Sequence, residues 1–132
     1  MSVEAKDFIA SAREFLARFQ ESPAEISLRN SMSRAYYAAF TKARQILPSL
    51  SNNPLHDTSI KGGIHVDLQR HYRGGGTSMT AVADMLATAH RMRCLADYDV
   101  GNTIVPILAT KQIAKCEGII RRLEQLESAA LR

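Results

Sequence analysis

The sequence predicts an all-α protein, an antiparallel bundle of four long helices and one short helix. Three observations carry this prediction. Apolar residues recur at spacings of three and four along most of the chain, no segment alternates with a period of two, and the breaks are short runs rich in Pro, Gly, Ser and Asn. Brief connections make consecutive helices antiparallel neighbours. With 132 residues the chain suits a single helical domain spanning 1–132, large enough for one core.

The first helix is expected over Val3 to Gln20, where Phe8, Ile9, Ala12, Phe15, Leu16 and Phe19 share one face and Lys6, Glu14 and Arg18 the other. Ser22-Pro23-Ala24-Glu25 reads as a capping serine, a proline at the first helical position and a glutamate three after the cap, so a second helix starts near Pro23. Pro48 disfavours helical geometry at Leu47 and is expected to end that helix there, before a polar loop from Ser49 to Asp57. A short third helix from about Ser59 places Ile64, Leu68 and Tyr72 on one side, against the cost of Gly62 and Gly63 in its first turn.

Gly74-Gly75-Gly76 follows a helix and lacks both a preceding strand and a downstream Lys-Ser/Thr, which makes it a break rather than a phosphate loop. Thr77 or Ser78 then caps a fourth helix carrying Met79, Val82, Met85, Leu86, Ala89, Met92 and Leu95. A last helix begins between Thr103 and Ile107, with Pro106 in its first turn, and bears Ile113, Cys116, Ile120, Leu123 and Leu126.

Composition narrows the function. The formal charge of +4 and a pI near 9.3 lean towards nucleic acid, though weakly. No apolar run approaches a membrane span, and MSVEAKDFIA lacks the basic-then-apolar order of a secretory signal, so a cytoplasmic protein without membrane contact is expected. Cys94 and Cys116 have no metal-ligand spacing and read as reduced packing residues. His56 falls in a polar loop, while His65, His71 and His90 fall on helices without the pairing at four that makes a zinc face; no metal or other cofactor is expected.

The most informative stretch is Ser31 to Arg44. Met32, Ala35, Ala39, Ala43 and Ile46 form one apolar stripe, and Arg34, Tyr37 and Thr41 stack beside it. A cation next to two phenols on an otherwise apolar helix is either a satisfied polar network or a site. The end of the fourth helix, RMRCLADY, puts Arg93 and Asp97 four apart on one face. If the second and fourth helices are neighbours, Asp97 is placed to accept from Arg34 while Arg93 and Tyr98 face a groove. Arg70, His71 and Arg73, with Lys61 on the same element, make the densest basic patch and would track phosphates.

SRAYYAAFTKAR at Ser33 to Arg44, KGGIHVDLQRHY at Lys61 to Tyr72 and RCLADYDV at Arg93 to Val100 resemble, in order, three signature segments of the HEPN (higher eukaryotes and prokaryotes nucleotide-binding) domain family. The resemblance implies an all-α homodimer from a toxin, antitoxin-associated or antiphage setting, frequently beside a nucleotidyltransferase-type antitoxin, with many relatives acting as metal-independent ribonucleases. It places Arg93 on the catalytic arginine. The family's histidine, four to six residues later, is replaced here by Asp97-Tyr98, and many relatives carry a histidine where this chain has Ile60. Tyrosine, with a pKa of about 10, is a poor base near neutrality. The expected site is therefore Arg93, Asp97 and Tyr98 for any chemistry, with Tyr98 or His71 orienting the nucleophile, and Arg34, Tyr37, Lys61, Arg70, His71 and Arg73 for RNA or a nucleotide. The alternative is a non-catalytic module that docks a partner, through the Met79, Met85 and Met92 side for example.

Overall fold

A computed structural model describes residues 3–50 and 63–131. It contains five helices in the order α1 (Ala5–Glu21), α2 (Glu25–Leu50), α3 (Gly63–Arg73), α4 (Thr77–Tyr98) and α5 (Pro106–Ala130), and no strand among the described residues. The all-α bundle with one short helix is as expected. Helix directions follow from named contacts. Ser31 Oγ on α2 donates to the Ala12 carbonyl on α1 at 2.8 Å, and Gln112 Nε2 on α5 donates to that of Ala89 on α4 at 2.9 Å. Lys42 near the end of α2 pairs with Glu127 near the end of α5 at 3.1 Å. Further along α2, Tyr37 meets Phe8, earlier in α1 than Ala12; Ser33 meets Asp97 and then Tyr36 meets His90, earlier in α4. Glu25 at the start of α2 accepts from Ile104 just before α5, so α2 runs against α1 and α4 but alongside α5.

Helix α2 is the central element because its side chains are small where neighbours press. Ala35, Ala38, Ala39 and Ala43 are fully buried, and α2 touches all four other helices. Burial without bulk lets backbones approach closely, so adding methylenes here would overpack the core. Two apolar clusters result. The larger holds Tyr36, Phe40, Leu47, Leu68, Tyr72, Val82, Leu86, Ile119 and Leu123; the smaller, at the α4–α5 turn, holds Leu28, Met32, Ala96, Ile104 and Ala109.

Several boundaries differ from the sequence reading. Helix α2 starts at Glu25 rather than Pro23, because the Glu25 carboxylate accepts from Arg29 Nε (3.3 Å) and from the Ile104 amide (2.7 Å) instead of closing a capping box on Ser22. Pro48 lies inside α2, which continues to Leu50. Proline forfeits one backbone donor and strains one preceding carbonyl, and burial of Leu47 with partial burial of Leu50 against the larger cluster offsets that loss. The Ser59 start of the third helix and most of the Ser49 to Asp57 loop lie outside the described residues. Gly76, at φ 98°, occupies the position before α4 that Thr77 or Ser78 was expected to fill. Gly75 is needed for space, since a Cβ there would collide with the Met79 side chain. In α5 it is Ile119 rather than Ile120 that enters the core.

Arg29 dominates the end of the bundle beside the α4–α5 turn. It is 6 % exposed, and its guanidinium donates to the carbonyls of Leu95 (3.2 Å), Ala96 (2.9 Å), Asp99 (3.1 Å) and Asn102, besides pairing with Glu25. These carbonyls belong to the last turn of α4 and the loop after it, where a helix leaves acceptors without intrahelical donors. One buried cation therefore closes the end of α4 and fixes the turn that follows the Arg93–Tyr98 segment.

Among the described residues no helix is long and apolar enough to cross a membrane.

Candidate functional site

Helices α2 and α4 are neighbours, and their contact places Arg93 under Tyr37. The Arg93 guanidinium carbon lies 5.1 Å from the centre of the Tyr37 ring and 5.3 Å from that of Tyr98, cation–π distances on both sides. Its Nε donates to Asp97 Oδ2 at 2.7 Å and its Nη2 to the Tyr98 hydroxyl at 3.3 Å. Burial works against the Arg93 charge, but Tyr37, Asp97 and Tyr98 outweigh it and hold its pKa above the ordinary value. Only 12 % of its side chain is exposed, whereas Tyr98 is 68 % exposed. The result is an oriented cation beside an open aromatic face.

Asp97 does not accept from Arg34. Its Oδ2 takes the Ser33 hydroxyl at 3.2 Å together with Arg93, and Arg34 is exposed, without a hydrogen bond or ion pair among the described residues. The reason is helical phase: Ser33 faces α4, and its neighbour Arg34 is rotated away by about 100°. The basic patch on α3 is likewise separate. Arg73 pairs with Asp84 at 2.6 Å near the start of α4, and Asp84 is nine residues, about 13 Å, before Arg93 along that helix. His71 Nδ1 donates to the Asp67 carbonyl at 2.9 Å, and His71 sits with Arg70, Gly74 and Met79 at the α3–α4 turn rather than beside Arg93. Lys61 lies outside the described residues.

What the sequence reading missed is a pair of histidines. His65 on α3 and His90 on α4 stack with ring centres 4.6 Å apart, and both rings pack on Tyr36 at 5.4 Å. Tyr37 and Phe40 complete the aromatic cluster around His65. His65 Nδ1 lies 2.6 Å from the Tyr36 hydroxyl. Burial above all, then His90 and Arg93, lower the His65 pKa to about 4; burial and Arg93 lower that of His90. Burial also pushes the Tyr36 phenol well above its usual range. Both groups are therefore neutral, and the phenol and His65 Nδ1 share one hydrogen bond whose direction follows the imidazole tautomer. His90 Nε2 lies 3.6 Å from Cys94 Sγ, within reach of a thiol hydrogen bond, whose weak donor leaves the ring's proton unassigned. Sequence spacing hides the pair because its members sit on different helices; the one available signal is that His90 precedes Arg93 by a single helical turn.

A folded-state pKa below the unfolded one means that the unfolded chain binds the extra proton first. The His65 contribution to stability is complete above pH 6.5 and is lost as the pH falls towards about 4. Urea midpoints should decline over that window, and His65→Phe should flatten the decline. An unchanged slope would show that His65 does not titrate in this way.

Among the described residues no group of three or more His, Cys, Asp or Glu side chains has metal-binding geometry. Cys94 and Cys116 are free; burial pushes the Cys116 thiol up to about 12, as befits a packing residue. The Met79, Met85 and Met92 side is not an open docking face, since Met79 is core and the other two pack against the apolar clusters.

No protein-family model matches the chain, and comparison with characterised proteins returns no match.

Proposed function

We propose that the chain is an HEPN-like RNA-binding protein of the toxin or antiphage kind, which takes a backbone phosphate at Arg93 and cleaves without a metal. The observation that carries this reading is the histidine pair beside an oriented arginine, which supplies in space what the motif lacks in sequence. Arg93 Nε is committed to Asp97 and one Nη2 N–H to Tyr98, which leaves Nη1 and the second Nη2 N–H for a phosphate. Exposed Tyr98 offers a face on which a base can stack.

The division of labour follows from the contacts. His65 Nδ1 is engaged by Tyr36, whereas the ring nitrogens of His90, neutral near pH 7, meet only the weak Cys94 thiol among the described residues. His90 thus takes the proton of the ribose 2′-hydroxyl, the 2′-oxygen bonds to phosphorus, and the bond to the 5′-oxygen breaks. Arg93 stabilises the charge on the phosphoryl oxygens, and the 5′-oxygen leaves with a solvent proton. An anionic phosphate at Arg93 also offsets the charge that depresses the histidines, so His90 becomes a better base once substrate is bound.

The test is incubation of the purified protein with mixed RNA in EDTA, beside His90→Gln and His65→Gln. Cleavage that falls about 100-fold or more in His90→Gln, with RNA affinity kept, is the expected result. Equal cleavage by both variants would remove the histidines from the mechanism. Intact RNA in every lane, with RNA still bound in a salt-dependent manner, would reduce the reading to binding.

A second observation favours a partner surface. Ile26, Val100, Val105 and Ile107 are between 45 % and 80 % exposed at the bundle end that Arg29 organises. The reading assigns this apolar end to a second copy of the chain, which would bring two Arg93 sites together, and leaves a nucleotidyltransferase-type antitoxin as a further partner. Sedimentation should give a dimer that Val100→Asp converts to monomer; a monomeric parent at tens of micromolar would contradict the assignment.

A further inference from the structure

Cys94 stands four residues after His90 on α4, and the two side chains meet, with His90 Nε2 3.6 Å from Cys94 Sγ. Both residues are half-buried rather than sealed in the core. The mixed pair escapes a search for paired histidines or paired cysteines. A nitrogen and a sulfur held by one tetrahedral zinc, at the usual bond lengths, stand about 3.6 Å apart. A linear two-coordinate ion would need the sum of the two bonds, about 4.3 Å, so the observed separation favours a tetrahedral cation.

The donors suit the same ion. Imidazole and thiolate are zinc ligands, whereas calcium and magnesium take oxygen. Burial and Arg93 lower the His90 pKa, so no proton competes for its free nitrogen near pH 7. Cys94 gives up its thiol proton to solvent as the sulfur–metal bond forms. The Arg93 charge opposes a second cation nearby, and two anions counter it: the new thiolate, and Asp97, which already holds Arg93 at 2.7 Å. Tyr36 on α2 and His65 on α3 pack on the His90 ring at 5.4 and 4.6 Å, which fixes its plane from two other helices.

We propose that His90 and Cys94 form a labile zinc site, with water filling the two remaining positions. Two protein ligands make a site that empties readily, unlike the four of a structural zinc. The ion takes the imidazole that the proposed cleavage uses as its base, so zinc acts as an inhibitor rather than a cofactor. That consequence rests on the ribonuclease reading; the site itself rests on the geometry of α4 alone.

The test is titration of the full chain with zinc by calorimetry, and with cobalt(II) as a spectroscopic substitute. Cobalt should give a thiolate charge-transfer band in the near ultraviolet, and zinc should displace it. Cys94→Ala should abolish the band. Cys94→Ala and His90→Gln should each weaken zinc by at least about 10-fold, whereas His71→Gln should not. Arg93→Ala, which removes a repelling charge, should bind zinc at least as tightly as the parent. Absence of the thiolate band from the parent, or equal zinc affinity in Cys94→Ala and the parent, would overturn the site. A parent that binds zinc but cleaves no RNA in EDTA overturns the ribonuclease reading and keeps the site. One that cleaves as fast or faster with zinc bound overturns the inhibition.

Discussion

Arg29→Ala is expected to destabilise the protein by about 3–5 kcal/mol, the sum expected when several charge-assisted hydrogen bonds to backbone carbonyls are lost together. For a chain of this size that lowers the melting temperature by roughly 10–20 °C. The loss has two sources. The carbonyls of Ala96 and Asn102 lose their donor, those of Leu95 and Asp99 keep only a backbone N–H, and Glu25 keeps only the Ile104 amide. Arg29→Lys should recover a minor part, because an ammonium has three donors where the guanidinium has five in a fixed plane. A thermal scan with a fall of only a few degrees for Arg29→Ala would show that water replaces the guanidinium at the end of α4. Because Asp97 and Tyr98 lie in the turn that Arg29 closes, the variant should also weaken RNA binding at temperatures well below its melting point.

Arg93→Ala is expected to reduce RNA cleavage about 100- to 1,000-fold, the usual consequence of deleting one preorganised donor to developing charge. Its effect on stability should be much smaller, around 1 kcal/mol, since the Arg93–Asp97 pair is a partly exposed bond within one helix. Arg93→Lys should not rescue activity. Lysine supplies the charge but neither the planar contact with Tyr37 and Tyr98 nor the Nε bond that orients the group. In binding measurements, loss of one phosphate contact should lower the slope of log K against log salt by about 1. A folded Arg93→Ala protein that bound and cleaved like the parent would remove the site from the Tyr37–Tyr98 clamp altogether.

The contrast between these two arginines shows why sequence alone ranked them differently. Arg93 stands in a recognisable local pattern, with its carboxylate partner four residues on, so that contact is legible as helix geometry, whereas the bond to Tyr98, five residues on, is not. Arg29 has one local partner, Glu25, and its other partners are backbone carbonyls more than sixty residues away. A carbonyl acceptor leaves no trace in side-chain identity. The same holds for His65 and His90, which meet because α3 and α4 pack.

The sequence by itself determined the number and order of the helices, the apolar stripe of α2, the proline at the start of α5 and the Arg93–Asp97–Tyr98 constellation. Each rests on residues within one or two turns of each other, where the helical repeat fixes which side chains coincide. Only the tertiary structure decided that Arg34 stays outside the cluster, that α2 runs on through Pro48, that Arg29 is buried and that two neutral histidines stand beside Arg93. Those outcomes depend on which helix faces which, and on the free energy of burying one group against a distant one. Neither is encoded in spacing along the chain.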